Sequence, residues 1–315
     1  MRLRKLYAIL YIFGAKYDTE CIEKNEKENW RKTVFLVSML ILPVAQWLVF
    51  WLYVNIDSVL IAFQFARGGW TLSNFSKLFM ELGEGGSILS ESVINTFVFF
   101  GVNLLIIMPL CFMISYFLYR KIAGYRIFRI VFYLPQIISA VVMTTVFSSF
   151  IAPNGPFGVL MKAFGAEEVP ELLSNSSYAL GTIVFYTCWT SLGANMLLFS
   201  GAMSRIPLEV LESSRLDGCY AFKELVYIIF PMVFPTISTL IVFTCTGLFN
   251  SSGPILLFTQ GMYGTFTISY WIYEQVYVNN IYNNVAAAGL FFTALGIPFI
   301  LLVRWLLDRI PAVEY

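Results

Sequence analysis

The sequence predicts an all-α membrane protein with six transmembrane helices. The chain of 315 residues is 58% hydrophobic and only 12% charged, whereas soluble domains carry about 25% charged residues. Its mean hydropathy is +0.74. Because backbone groups in hydrocarbon must pair within their own segment, each apolar span is expected to be a helix. Six segments of sufficient length lack Asp, Glu, Lys and Arg: residues 34–54, 93–119, 130–151, 178–203, 226–249 and 285–303.

The residues before the first predicted span are rich in charge. Arg2, Arg4 and Lys5 interleave with apolar residues that run to Phe13. That run is short and no small-residue cleavage site follows it, so an interfacial amphipathic helix is favoured over a secretory signal peptide. We therefore expect three parts: an amphipathic and polar N-terminal segment 1–33, a transmembrane domain 34–310 and a short tail 311–315.

The positions of Lys and Arg predict the orientation, since cytoplasmic connections are rich in these residues. Seventeen of the 20 lie before the first span, between the second and third spans, between the fourth and fifth, and after the sixth. Only Arg67, Lys77 and Lys162 fall on the opposite side. Both termini are therefore expected in the cytoplasm. The expected outer connections are 55–92, with a short helix around 72–82, and then 152–177 and 250–284.

The composition excludes several kinds of chemistry. The chain has no His, which rules out His metal ligands and His-based acid–base catalysis. Its five Cys residues are scattered without a C-x-x-C pair, and no charged residue within the predicted spans could relay protons. No G-x-x-x-x-G-K-[ST] motif is present, so another chain would have to bind a nucleotide. A net charge of +1 gives no sign of nucleic-acid binding.

A polar segment, residues 204–228, separates the fourth and fifth predicted spans and is the leading candidate for a functional surface. Pro207 suits the first position of a helix, and Glu209 and Glu212 would lie in its first turns, where the helix dipole favours carboxylates. Gly218 would end this helix, expected over 207–217, through a positive φ or a close helix approach. A second helix would lead back into the membrane over 221–229. An ordinary amphipathic connection is the alternative.

This segment resembles the cytoplasmic coupling loop of ABC importer permeases, in which E-A-A is followed by G and then by I-x-L-P. Glu212-Ser213-Ser214 stands in place of E-A-A, Gly218 supplies the glycine, and Pro231 ends the pattern. Further likeness is found at Asn95-Thr96, at 129–135 and at 284–288. The chain is thus similar to carbohydrate-importer permeases, in particular the MalF-like partner. The resemblance makes these residues the expected ATPase contacts: Glu209, Glu212, Ser213, Ser214, Arg215, Asp217 and Gly218.

The resemblance implies the six-helix bundle of a type I ABC importer permease, with a cytoplasmic coupling helix, in a bacterial or archaeal plasma membrane. The expected partners are the lipid bilayer, a second homologous permease, two ATP-binding cassette subunits that hold ATP and Mg²⁺, and an extracellular solute-binding protein. The implied substrate is a sugar or oligosaccharide. The chain itself is expected to bind no cofactor, metal or nucleic acid and to catalyse no reaction.

The same resemblance places substrate midway through the membrane, against the fourth and fifth helices. Buried polar side chains in a span are costly and mark functional sites, and hydroxyls, amides and an aromatic face suit a sugar. The alternative is that these side chains join helices to one another. The matching positions are Thr187, Trp189 and Ser191 on the fourth helix and Asn250 and Ser251 on the fifth, and periodicity adds Asn195 and Asn103.

Two other functions stay open on the sequence alone. A permease for another solute class, such as amino acids, peptides or phosphate, would also carry a coupling loop. A secondary transporter or an intramembrane enzyme is the second alternative. Neither an inverted repeat nor a pair of intramembrane carboxylates is visible in the sequence, which disfavours that class.

Overall fold

The computed structural model of the chain describes residues 30–65, 68–250 and 254–310, and for Arg215 and Asn250 it describes the backbone alone. The predicted amphipathic helix, Ser251 and the tail 311–315 lie outside these ranges. Within them the regular structure is helical, and the β pairing is limited to an isolated bridge between Gln64 and Trp70. The prediction of an all-α protein is confirmed.

Twelve helices organise the described part of the chain. Five of them, α1, α3, α7, α9 and α12, are long and apolar enough to cross a membrane. A short 3₁₀ turn, Leu248–Asn250, follows α9. The helices are α1 Trp30–Ala62, α2 Ser73–Gly83, α3 Ile88–Tyr119, α4 Tyr125–Ile137, α5 Ala140–Ile151, α6 Pro156–Ala163, α7 Ala179–Met203, α8 Leu208–Leu216, α9 Ala221–Thr246, α10 Ile255–Phe258, α11 Ile268–Tyr277 and α12 Asn283–Leu307.

The third predicted span, residues 130–151, is not one continuous helix, and that prediction is wrong. Helix α4 and the following segment Ala140–Ala163 are bent by 111° relative to each other. Pro135 lies in the last turn of α4, and Ile138 beyond it has an extended backbone with ψ 141°. Proline lacks the N–H of the helical ladder and its ring crowds the preceding turn, which favours a break here. The described part of the chain therefore has six spans only if this bent pair counts as one.

The chain divides into two compact units, Met1–Ile61 and Ala62–Tyr315. In the first unit, α1 is already helical at Trp30, so the boundary predicted at 33/34 falls inside a helix. Trp47 and Trp51 stack on each other in this helix, with ring centroids 5.1 Å apart. The second unit contains all the other helices.

The core of the second unit forms where α3, α7, α8 and α9 meet. Ser115 donates to the carbonyl of Met196 at 3.3 Å, and Cys111 lies 3.7 Å from the carbonyl of Leu192. Such small side chains let the backbones of α3 and α7 approach closely. Buried residues of all four helices complete this cluster, among them Ile107, Tyr116, Phe199, Leu211, Leu225 and Ile229.

At the end of the bundle opposite α8, the Asn95-Thr96 pair joins α3 to the segment before α11. Asn95 Nδ2 donates to the carbonyls of Gly264 and Phe266, both at 2.8 Å. The backbone N–H of Ile268 donates to Thr96 Oγ1 at 3.0 Å. The pair that contributed to the family resemblance thus has a structural role in this chain.

Helices α3 and α9 each contain a π-helical segment, Asn103–Ile107 and Leu225–Ile229. Both segments end two residues before a proline, Pro109 in α3 and Pro231 in α9. A proline leaves a carbonyl one turn earlier without its α-helical donor, and the wider π turn accommodates this defect. The second helix predicted at 221–229 is therefore the beginning of the long helix α9 and not a separate element.

Candidate functional site

Helix α8 lies with one side against the bundle and the other exposed. It spans Leu208–Leu216, one residue shorter at each end than predicted, a difference within the usual uncertainty of helix ends. Leu211 is 1% exposed and packs into the core with Ile206, whereas Leu208 and Leu216 are 61% and 89% exposed. The core anchors α8 through Leu211, and the outer side remains available to a partner.

Gly218 ends α8 in a left-handed conformation, as the sequence predicts. Its φ is 75°, and the N–H of Cys219 donates to the carbonyl of Ser214 at 3.0 Å. This is the six-to-one bond of a Schellman motif, which calls for glycine because other residues are strained at positive φ. A Cβ added at Gly218 would meet no atom of the described residues within 4 Å. The backbone angle, and not a close helix approach, explains the glycine.

The polar residues of α8 divide between its two sides. Glu209, Glu212, Ser213 and Asp217 are exposed. Ser214 is only 8% exposed, and its Oγ donates to the carbonyl of Leu211 at 2.8 Å. Ser213 and Ser214, both expected ATPase contacts, therefore lie on different sides of α8, because consecutive helical residues point about 100° apart. For Arg215 only the backbone position on α8 is established.

A buried carboxyl group, which the sequence analysis missed, lies where α9 begins. Glu224 is 0% exposed, and its Oε1 lies 3.4 Å from the hydroxyl of Tyr116 on α3. That hydroxyl also donates to the carbonyl of Ala221 at 2.8 Å and accepts from Arg120 at 3.3 Å. The available signal was a lone carboxylate directly before the apolar run 225–249.

A polar cavity of about 360 Å³ opens between α3, α4, α7 and α9, and Asn103 places it midway along α3. Its polar side chains are amides and hydroxyls, and three phenylalanines give it aromatic faces. Among the described residues that line it, none is charged. The lining consists of Phe99, Phe100, Asn103, Gln136, Ser191, Ala194, Asn195, Leu240, Phe243, Thr244, Gly247 and Leu248.

Local features of the chain bring these polar groups together. A Cβ at Gly193 would lie 2.8 Å from Gln136 Cγ and 2.9 Å from the carbonyl of Phe132, so glycine allows α4 to pass close to α7. Gln136 Nε2 then donates to the carbonyl of Thr190 at 3.0 Å. Asn103 begins the π segment of α3. Among the described residues, the side chains of Asn103 and Ser191 have no hydrogen-bond partner, so both can bind a ligand.

The predicted path residues fall into three groups. Ser191 and Asn195 line the cavity together with Asn103. Thr187 and Trp189 do not line it. The hydroxyl of Thr187 donates to the carbonyl of Ile183 at 2.8 Å, and Trp189 packs against an aromatic group that includes Tyr186. The third group is Asn250, whose backbone lies in the 3₁₀ turn but whose side chain is outside the description, and Ser251, which is wholly outside it.

Gln136 and Thr244 line the cavity but were not predicted. Gln136 is next to Pro135, and a glutamine beside the only proline of the third span was the signal for a broken helix with a polar end. Thr244 differs, because its Oγ1 donates to the carbonyl of Leu240 at 2.9 Å in the common back-bonding pattern of helical threonines. Nothing in the sequence separates Thr244 from the other threonines of α9.

These features define a multi-pass membrane protein with an uncharged polar cavity at mid-depth and an amphipathic helix beyond the bundle. Residues 59–311 match the model of the family described as binding-protein-dependent transport system inner membrane component. The chain therefore belongs to this family, and the predicted resemblance to ABC importer permeases is confirmed.

Curated relatives are about a quarter identical to the chain over the residues that align. The probable ABC transporter permease protein YurN of Bacillus subtilis is 27% identical over 51% of this chain, a match that spans only 56% of YurN. UgpA of Brucella abortus, a permease protein of an sn-glycerol-3-phosphate transport system, is 27% identical over 64% of this chain and 71% of its own length. LacF of Rhizobium radiobacter, a lactose transport system permease protein, is 24% identical over 59% of this chain and 65% of LacF.

Solved structures establish the fold. A bacterial ABC transporter that imports the acidic polysaccharide alginate contains a chain that superposes with a TM-score of 0.78. The superposition covers 89% of this chain and 97% of that one at 21% identity. A bacterial alginate transporter in complex with a periplasmic protein bound to an alginate pentasaccharide gives a TM-score of 0.75 at the same identity, over 86% and 93% of the two chains. The predicted fold of a type I importer permease is confirmed.

Proposed function

We propose that this chain is one of two membrane subunits of an ABC importer and forms half of the path of a sugar or oligosaccharide. An extracellular binding protein delivers the substrate. The observation that carries the proposal is the cavity midway along α3, which Asn103, Ser191 and Asn195 line together with Phe99 and Phe100, with no charged side chain among the described lining residues. Amides and hydroxyls match sugar hydroxyls, and aromatic faces stack on the apolar C–H side of a sugar ring. The names of relatives such as LacF support the same substrate class.

ATP enters this scheme through other subunits. Two ATPase subunits bind ATP and Mg²⁺, and the exposed side of α8, with Leu208, Glu212 and Leu216, docks on one of them. Seventeen of the 20 Lys and Arg residues lie on the same side as residues 204–228, which supports a cytoplasmic position for α8 and for both termini. The chain carries no phosphate-binding loop motif, and we assign it neither nucleotide, cofactor nor catalytic activity. ATP-driven dimerisation of the ATPases would shift the bundle between inward-facing and outward-facing populations.

Phosphorylated and acidic substrates are the second candidates, because relatives and neighbours of this chain serve glycerol phosphate and alginate. An anion at mid-depth would need a cationic or strongly donating partner, since an unpaired charge is costly there. The described lining of the cavity contains no cationic side chain. We therefore favour an uncharged sugar or oligosaccharide over both anionic substrates, and over charged amino acids.

Transport by the whole importer tests the proposal. A tag on this chain would purify it from its native membrane with its bound subunits, and the complex would be reconstituted into proteoliposomes containing ATP and Mg²⁺. With the binding protein outside, we expect ATP-dependent uptake of neutral oligosaccharides but not of amino acids or glycerol phosphate. Uptake of a charged solute in the absence of any sugar uptake would refute the substrate class.

A further inference from the structure

The junction between α3 and α9 contains the most deeply buried carboxyl group of the described bundle. Glu224 is 0% exposed and Tyr116 is 1% exposed. Removing a carboxylate from water costs several kcal/mol, and a buried ionic group often adds little net stability. A group of this kind is better explained by a need for a defined geometry than by its contribution to folding.

The hydroxyl of Tyr116 is the centre of this junction. It donates to the carbonyl of Ala221 at 2.8 Å, in the first turn of α9, and lies 3.4 Å from Glu224 Oε1. Arg120, the residue that follows α3, donates to the same oxygen at 3.3 Å. The end of α3 and the beginning of α9 are therefore joined by directional bonds in addition to apolar packing.

Helix α8 is connected to this junction at close range. Leu211 of α8 packs in the same buried cluster as Tyr116, and Leu225, the neighbour of Glu224, belongs to it as well. The turn at Gly218 leaves only a short connection between α8 and α9. A force applied to the exposed side of α8 therefore reaches the first turn of α9 through covalent chain and buried contacts.

Helix α3 continues from this junction to the cavity. Tyr116 lies near the C-terminal end of α3. The π segment of the helix begins nearer its middle, at Asn103, which lines the cavity. Helices transmit displacement along their axes because their hydrogen-bond ladders resist extension. The contacts between Tyr116 and the first turn of α9 therefore couple the position of α8 to the position of Asn103.

We propose that Glu224 and Tyr116 are positioning residues that couple movement of α8 to the substrate cavity, a role that rests on the proposed function. Their contact keeps the first turn of α9 attached to the end of α3 while α8 moves with its ATPase. Without the contact, α8 and α9 would follow the ATPase but α3 would lag behind. ATP hydrolysis would then continue with less sugar moved in each cycle.

The test measures the number of sugar molecules imported per ATP hydrolysed, using the whole importer in proteoliposomes. This ratio does not depend on how much of the protein is folded, so a purely structural defect leaves it unchanged. We expect Glu224→Leu to lower the ratio about tenfold and Tyr116→Phe to lower it about threefold, because a tenfold loss corresponds to only about 1.4 kcal/mol of coupling. Glu224→Gln, which keeps a polar side chain of the same size beside the hydroxyl, should retain most of the wild-type ratio.

Met203→Leu is the matched control, since Met203 is buried in the same cluster and the exchange conserves volume. Its ratio should equal that of the wild type. If Tyr116→Phe and Glu224→Leu lower uptake and hydrolysis in equal proportion, the junction serves packing alone and the inference is wrong. If Glu224→Leu does not assemble, Tyr116→Phe decides alone, because it removes a single oxygen atom. A wild-type importer that moves no sugar would instead refute the proposed function.

Discussion

The α8 region and the polar cavity are encoded in different ways. The α8 region draws on consecutive residues, and its main features are an anchor at Leu211 and a stop at Gly218. The cavity collects side chains from four helices, from Phe99 in α3 to Leu248 beyond α9. Local hydrogen bonds determine the α8 region, whereas the cavity depends on which faces of helices distant in sequence meet. Substitutions in the two regions should therefore differ in the size of their effects.

The two sides of α8 should respond differently to the same truncation. Leu211→Ala leaves a cavity in the core and should destabilise the protein by about 2–5 kcal/mol, seen as a lower thermal unfolding midpoint of the detergent-solubilised complex. Leu208→Ala removes an exposed side chain. It should leave the thermal unfolding midpoint close to that of the wild type while weakening binding to the ATPase. Equal losses of thermal stability in the two variants would show that α8 does not have an inner and an outer side.

The stop at Gly218 should tolerate no β-branched residue. Gly218→Val forces a side chain into the left-handed region at a cost of about 1–3 kcal/mol and should reorient the chain between α8 and α9. We expect normal membrane insertion but at least a tenfold loss of sugar-stimulated ATP hydrolysis. Gly201→Val is the control, because an added Cβ at Gly201, in helix α7, meets nothing within 4 Å. If the two variants behaved alike, the positive φ would have no functional consequence.

Loss of a single polar group from the cavity should affect transport less than the changes at Leu211 and Gly218 affect stability and ATP hydrolysis. Asn195→Leu and Asn103→Leu each remove one neutral hydrogen-bonding group, worth about 0.5–1.5 kcal/mol, so transport KM should rise about two- to tenfold. Trp189→Ala is the contrasting variant. Trp189 packs beside Tyr186 and outside the cavity, so its loss should lower stability without changing the order of sugar preference. A changed preference in Trp189→Ala alone would move the substrate path toward that aromatic group.

The sequence was sufficient for the α8 region because Gly218 acts within its own turn, where spacing alone determines the hydrogen bonds. It was only partly sufficient for the cavity. Ser191 and Asn195 line the cavity but Trp189 does not. A resemblance by position does not say which way a helix face turns. The break after α4 was missed for a similar reason, since proline occurs inside continuous spans as well as at breaks. Pro109, Pro231 and Pro298 lie within long helices, whereas Pro135 precedes a break.

The π segment of α3 determines which side of the helix its buried residues lie on. Three turns of an uninterrupted α-helix take about 11 residues, so residues eleven apart would align. In α3 the buried residues on either side of Asn103–Ile107 are instead twelve apart, as in the pairs Thr96 and Met108, and Phe99 and Cys111. One additional residue thus keeps a single stripe facing the bundle along the full length of the helix. Removing it would rotate the half that carries Tyr116 by roughly 100°, and the hydroxyl would no longer point at α9.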